Sequence, residues 1–243
     1  MTTDGSSTPE VTHGQQAYPA RPGADDVAAH ADAHDAPRTD RPAEVIALGN
    51  GLELRRRRPA QAAALNVAIL ANLDHLRPWV PWADPAPTPA DTMANCEHAV
   101  AQWETDTGYS YVIQPSGDPD TVVGGCGLHA RVGAGALEIG YWVARAFTGQ
   151  GVATTLTRRL TEEALTLPGI SRVEIHVDEA NAASSAVPRK LGYRLERVRE
   201  RTPQSAAQSG RVEVWALGAP APTGLADGAF PATTAQSLGL LGL

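Results

Sequence analysis

Between residues 43 and 217 the apolar residues recur at two spacings, every second position and every third to fourth, and these predict the elements. "LELRR" (52–56) alternates after a "GNG" turn and predicts a strand. "PAQAAALNVAILANLDHL" (59–76) opens on proline and carries apolar residues at helical spacing, so it predicts a helix. A loop over 77–87 holds Trp79 and Trp82. Thr88, Pro89 and Asp91 then form a capping signature for a helix running to Glu104. Residues 109–115, 121–130 and 133–144 predict three strands separated by turns, the second rich in glycine. In the helix predicted over 151–169, Val152, Leu156, Leu160, Ala164 and Leu167 fall on one stripe, and Pro168 and Gly169 end it. "SRVEIHVD" (171–178) alternates, with Val173, Ile175 and Val177 on one face. A short helix in "NAASSAVPRKLGY" closes at Gly192, and strands at "RLERVRER" and "RVEVWALG" complete the set. A strand meander followed by a single parallel crossover predicts a mixed α/β (α+β) sheet rather than a doubly wound fold.

Outside this region both patterns stop. Residues 1–42 are rich in Pro, Gly, Asp, Ala and His without an apolar period, and 218–243 are of low complexity. Such stretches bury too little apolar surface to offset their ordering entropy. The organisation expected is a disordered N-terminal extension over 1–42, one domain over 43–217 and a C-terminal tail over 218–243. "HADAHD" (His30–Asp35) offers metal-binding side chains but no rigid frame, so no metal site is expected.

The net charge of −7 leaves no basic footprint for nucleic acid. Cys96 and Cys126 are the two cysteines and lack metal-type spacing. With no signal-peptide pattern and no apolar run of membrane-spanning length, a cytoplasmic protein without membrane contact is expected. "RRRR" (55–58) reads as the solvated end of a strand.

The chemistry centres on "FTGQGVATTLTRRL" (147–160), two glycines at a strand-to-helix join. A phosphate-binding P-loop would need a lysine after its last glycine, and the chain's single lysine is Lys190. A dinucleotide fingerprint would need a third glycine or alanine where Thr154 stands, and a place after the first strand. Two readings stay open from the residues alone: a plain tight turn, or a pyrophosphate cradle built from N–H groups at a helix start.

The stretch "EIGYWVARAFTGQGVATTLTRRLTEEA" with "VDEANAASSAVPRKLGY" closely resembles the GNAT superfamily of acyl-CoA-dependent N-acetyltransferases, and within it the RimL/RimJ-like members. The resemblance covers about 50–217 and is strongest over 137–193. It departs at Thr148, where the family carries Gln or Arg. It implies the GNAT fold: a mixed, mostly antiparallel sheet of six to seven strands with about four helices and splayed central parallel strands. It also implies acetyl-CoA as acyl donor and direct transfer to a primary amine, on an amine-bearing peptide, a protein N-terminus or a small molecule, by a monomer or homodimer. Glu138 is expected as the base, with Glu200 as second candidate, and Ser184 as the acid, with Ser185 able to substitute. His176 is a lesser candidate base. Cofactor contacts are expected from Trp142, Val143, Arg145, Gly149, Gln150, Gly151, Val152, Ala153, Thr154 and Asn181, and acceptor contacts from Trp79, Trp82 and Tyr141. Cys126 reads as a small core residue. A non-catalytic acyl-CoA-binding sensor is the rival reading.

Overall fold

A computed structural model describes residues 40–218. Residues 1–39 and 219–243 lie outside the described residues, and with them the cluster at His30–Asp35 and most of both terminal extensions. Among the described residues, eight strands make one sheet in the order β1-β2-β3-β4-β5-β6-β8-β7. They are β1 (Val45–Gly49), β2 (Leu52–Arg56), β3 (Gly108–Pro115), β4 (Gly124–His129), β5 (Ala136–Val143), β6 (Arg172–Asp178), β7 (Arg194–Glu200) and β8 (Arg211–Gly218). Only β5 and β6 run parallel; every other neighbouring pair is antiparallel.

The sheet exceeds the expected six to seven strands by one edge strand, β1. It lies ahead of the "GNG" turn, where Gly49, Asn50 and Gly51 all take positive φ (79°, 52° and 73°) and fold β1 onto β2. Five helices replace the expected four, because the apolar run at 59–76 breaks. A 3₁₀ turn (Pro59–Gln61) precedes α1 (Ala62–Leu70), and α2 (Leu73–Leu76) follows. Asn72 lies at the break: its Nδ2 donates to the Ala68 carbonyl (2.8 Å), and its Oδ1 accepts from the Arg145 N–H (2.8 Å). α3 (Pro89–Glu104) starts with the expected Thr88–Asp91 capping box. α4 (Val152–Thr166) and α5 (Ala182–Lys190) follow β5 and β6.

The strand period of two sorts side chains onto two cores. Leu137, Ile139, Tyr141 and Val143 of β5 and Val173, Ile175 and Val177 of β6 pack with the α4 stripe, all five members of which are buried. On the other face Val112 and Trp142 pack with Leu65 and Ile69 of α1 and Cys96 of α3. Trp103 belongs to the first core, edge-on to Tyr109 and Tyr111.

The arginine run at 55–58 departs only in part from a solvated strand end: Arg55 is half-buried and Arg58 exposed, whereas Arg56 and Arg57 are buried. Arg57 is 2 % exposed and donates to Asn95 Oδ1 (2.8 Å) and the Tyr111 carbonyl (3.3 Å). Arg56 is held between Glu44 (2.7 Å) and Glu104 (2.6 Å), over the Trp103 ring.

The glycines of β4 give the sheet its tight middle. A Cβ on Gly125 would lie 2.8 Å from Trp142 Nε1 and 3.0 Å from Arg57 Nη2, and one on Gly124 would collide with the Trp142 carbonyl oxygen. Glycine here lets β5 and the Trp142 ring lie against β4. Gly124→Ala is therefore predicted to cost about 1–3 kcal/mol through overpacking, read as a lower urea midpoint at unchanged slope. An unchanged midpoint would refute the tight approach.

Candidate active site

β5 and β6 are paired from Ala136↔Arg172 to Glu138↔Glu174, and beyond that rung their pairing stops. The upper half of β5 thus has β4 on one side and an open edge on the other. The Ala144 N–H bonds to the Val123 carbonyl on the β4 side (2.8 Å), so by strand alternation the Val143 N–H points to the open edge.

A cavity of about 620 Å³ occupies this opening and reaches both faces of the sheet. His75, Leu76 and Trp79, from α2 and the loop after it, line it from one side with Trp142. Residues 151–154 and Ser184, Val187 and Lys190 of α5 line it from the other.

Its floor at 148–154 is a helix start. Gly149 and Gly151 take left-handed φ (73° and 81°), and a Cβ on either would meet nothing within 4 Å. The first intrahelical bond of α4 runs from the Thr155 N–H to the Gly151 carbonyl (2.9 Å). The N–H groups of Val152, Ala153 and Thr154 therefore have no partner inside the helix, at its positive end. Thr148 uses its hydroxyl to donate to the Arg145 carbonyl (2.8 Å), closing the 3₁₀ turn Arg145–Phe147. Gln150 Nε2 donates to the Ala146 carbonyl (2.7 Å).

Across the cavity, Asn181 caps α5: its Oδ1 accepts from the Ser184 N–H (3.1 Å). Ser184 is therefore in the first turn rather than at the cap, buried, with Oγ 3.0 Å from the Tyr141 hydroxyl. Burial pushes the Tyr141 phenol up to about 12, against a smaller downward effect of its Ser184 bond, so it keeps its proton. The Tyr141 hydroxyl also lies 3.5 Å from the Ser184 carbonyl, and when it donates to Ser184 Oγ the Ser184 O–H is left to donate elsewhere.

Below the splay, on the face away from α4, lies a dense polar array. Glu138 chelates Arg131 through both oxygens, to Nε and Nη2 at 2.8 Å each. Burial raises its pKa, but the Arg131 hydrogen bonds and the charges of His176, Arg131 and His129 outweigh that and bring it down to about 2. His176 Nε2 is 2.6 Å from Glu174 Oε2, and its Nδ1 lies 3.2 Å from Arg199 Nη2 and 3.7 Å from Glu138 Oε2. Glu174 also accepts from Arg172 Nε (2.8 Å), and Arg172 continues to Glu196. His129, opposite Glu138 on β4, is buried with Nε2 unpartnered; burial, then the Arg131 charge, push its imidazole down to about 3.

The structure thus gathers Trp79, Tyr141, Trp142, Val143, Gly149, Gly151, Val152, Ala153, Thr154, Asn181 and Ser184 around one cavity. Other expected residues do not line it. Trp82 packs against the second core, Arg145 offers its backbone to Asn72, and Gln150 bonds back to its own turn. Ser185 faces the sheet and donates to Glu213 (2.6 Å). The Glu200 side chain is 88 % exposed and lies 3.5 Å from Arg211. Glu138 stands on the adjoining sheet face. Both its oxygens accept from the Arg131 guanidinium, which holds the carboxyl low against its burial. His75 and Lys190 line the cavity unannounced; both follow helix or loop patterns that carry no chemical signature in sequence.

Comparison with known proteins agrees with this geometry. A model of the acetyltransferase (GNAT) domain matches residues 51–194. The Bacillus subtilis (strain 168) protein named "Putative ribosomal N-acetyltransferase YdaF" is 30 % identical over 145 residues, 58 % of this chain and 77 % of its own length. Solved structures share the fold. RimL, a ribosomal L7/L12 alpha-N-protein acetyltransferase in complex with coenzyme A, superposes at TM-score 0.64 with 24 % identity over 72 % of this chain and 98 % of that one. Mycobacterium smegmatis RimJ with CoA-disulfide gives 0.63 and 24 % over 73 % and 87 %. The microcin C7 self-immunity acetyltransferase MccE, with acetyl-CoA and AMP, gives 0.66 and 17 % over 75 % and 100 %.

The polar array makes stability depend on pH in a defined direction. Unfolded His129 takes up a proton near its ordinary 6.5, whereas the folded imidazole does so only near 3. The unfolded chain therefore binds more protons between these values, and stability falls as pH drops through that window. Glu138 adds to the loss from about 4.5 down to about 2. The urea midpoint should decline between pH 7 and 5, and less steeply in His129→Leu. Equal slopes in the two proteins would remove His129 as the cause.

Proposed function

The chain belongs to the GNAT acetyltransferase family and is an N-acetyltransferase, and we propose that it moves the acetyl group of acetyl-CoA directly to the α-amine of a protein N-terminus in a ternary complex. The single observation that carries this reading is the cavity through the β5–β6 splay. It joins free helix-start N–H groups, an open strand edge and a hydroxyl pair. The likeness to a protein named as a ribosomal N-acetyltransferase favours a protein terminus as acceptor. A small-molecule amine reaching the cavity past Trp79 and Trp142 is the second reading.

Acetyl-CoA suits the residues present and supplies an activated acyl thioester when bound. The N–H groups of Val152, Ala153 and Thr154 would hold its pyrophosphate, with no lysine needed in the loop. Contact by backbone explains why Thr148 can replace Gln or Arg: its hydroxyl shapes the turn. The open edge of β5 at Trp142–Val143 would hold the pantetheine arm as an added strand. The Val143 N–H would stabilise the carbonyl oxygen as it gains charge. Ser184, hydrogen-bonded to Tyr141, would return a proton to the departing thiolate. The Asn181 amide N–H₂, free of the cap, would orient the arm. Residues 43–217 would form the catalytic domain, flanked by the two extensions. Among the described residues no helix is long and apolar enough to cross a membrane.

Two outcomes are predicted. Ser184→Ala should lower kcat by about 100-fold, the lower range for a general acid, with little change in acetyl-CoA affinity. Unchanged turnover would remove Ser184 from the mechanism. Thiol release from acetyl-CoA should respond to peptides with a free N-terminal serine or alanine and fall away when that terminus is blocked. Release with aminoglycoside-like amines alone would select the second reading. Acetyl-CoA binding with no turnover on any amine would favour a sensor.

A further inference from the structure

The proton released by the acceptor needs a base, and Glu138 is committed to Arg131. Two imidazoles stand beside Glu138 on this face: burial pushes His129 down to about 3, whereas His176 has partners that fix its hydrogen-bonding state. Glu174 Oε2 at 2.6 Å can only accept, so Nε2 carries the hydrogen. Arg199 Nη2 at 3.2 Å can only donate, so Nδ1 presents a lone pair. The result is a carboxylate–imidazole dyad: Glu174 orients the ring and offsets the charge it would gain, and Nδ1 is the open basic atom. Burial works against the Glu174 charge, but the hydrogen bonds from His176 and then Arg172 outweigh it and hold the carboxyl below its ordinary value.

Position supports the same role. Glu174 is in the last paired rung of β5 and β6, and His176 is the next residue on that face, at the base of the splay. Gly140, between Glu138 and Trp142 on the facing strand, contributes no side chain. Glu138, Glu174, His176 and Arg199 do not line the cavity themselves; they adjoin its Trp142 end through Gly140, while the His129 ring leans over Gly127, the cross-strand partner of Gly140. Glu138 Oε2 lies 3.7 Å from Nδ1, so a cation placed at Nδ1 is also within reach of a carboxylate. In this structure the half-buried Arg199, from β7 near the sheet edge, places a cationic donor there. Its contact with His176 is one hydrogen bond, and its Nε has no partner.

We infer that the Glu174–His176 dyad is the proton acceptor for the incoming amine, and that Arg199 holds the place an acceptor ammonium takes, with Glu138 as a positioning carboxylate. The inference rests on the proposed acetyl transfer and deepens it. The acceptor ammonium displaces the guanidinium and passes one proton to Nδ1. The freed nitrogen lone pair forms the bond to the thioester carbonyl carbon. The C–S bond then breaks, and its electron pair leaves on sulfur, which is protonated by the Ser184–Tyr141 pair. The acylated nitrogen, still cationic, loses its second proton to water, a proton from water restores the Ser184–Tyr141 pair, and His176 returns its own proton to water.

The test uses the full chain with acetyl-CoA and a peptide bearing a free N-terminal serine, with alanine-initiated peptides and small amines in parallel. His176→Ala should lower kcat by about 100-fold while leaving acetyl-CoA affinity unchanged, and added imidazole should recover part of the loss. Imidazole should do nothing for Ser184→Ala. Glu174→Gln should lower kcat less than His176→Ala. Independently of turnover, nitrogen NMR of the ligand-free protein at pH 8, assigned with His176→Gln, should show the Nε2–H tautomer. Wild-type kcat in His176→Ala, loss without imidazole rescue, or an Nδ1–H tautomer would each overturn the dyad. So would a dependence on His75 in place of His176. Absence of wild-type turnover on every amine would sink the acetyl transfer itself and the dyad with it, whereas an active wild type with an equally active His176→Ala would sink only the dyad.

Discussion

The divergence of β5 from β6 after three paired rungs is the constraint on which the rest of the site depends. A sheet interior normally pairs every backbone N–H and C=O, leaving nothing for a ligand. Here one parallel neighbour ends its pairing halfway, so the upper part of β5 keeps a donor edge inside the protein rather than at its rim. The neighbouring antiparallel pairs compensate. β3–β4, β4–β5 and β6–β8 pair along their lengths, so the opening is a fixed feature between two rigid half-sheets.

Each element around the opening brings something a different local structure could not. The α4 start brings unpaired N–H groups, exposed by two glycines in left-handed conformation. α5 begins at Asn181, which sets Ser184 one turn in and within reach of Tyr141. The broken helix at 62–76 closes the other side through Asn72, whose carboxamide joins it to the Arg145 turn. The loop between β7 and β8 ties to the same side: Ala207 donates to the Pro78 carbonyl and Gln208 to the Trp79 carbonyl. Asp178 in turn holds that loop through the N–H groups of Ser209 and Gly210.

Charge is arranged with the same economy. On the sheet face away from α4, Glu138 is matched to Arg131 and Glu174 shares Arg172 with Glu196, whereas Asp178 is held by Ser209 and backbone N–H groups. A buried ion pair stabilises little beyond a well-packed apolar alternative, because desolvation offsets the attraction. Its retention next to the opening is better explained by what it does to neighbouring groups: it keeps carboxylates ionised and aimed around one imidazole.

Much of this was legible in the chain because local rules and tertiary structure agree there. The α4 stripe, the β6 alternation, the Thr88 capping box and the Gly192 turn all follow from periodicity and cap chemistry, and the glycine join, "EIGYWV" and "NAAS" pointed to segments that line one cavity. The strand at 45–49 escaped because an isolated five-residue edge carries little pattern of its own. Four adjacent arginines look alike in sequence, yet Arg56 is buried over Trp103 between Glu44 and Glu104, and Arg57 against Asn95 and Gly125. Glu138 shows the same limit. Alternation determined its face, but Arg131, seven residues earlier across a turn, decided that it would be an anchored carboxylate, and strand pairing decided that His176 would stand beside it. Sequence determined which elements form and which face each side chain takes, since these depend on neighbours along the chain. Only the tertiary structure decided which ionisable groups meet, since that depends on strand order and on where two strands cease to pair.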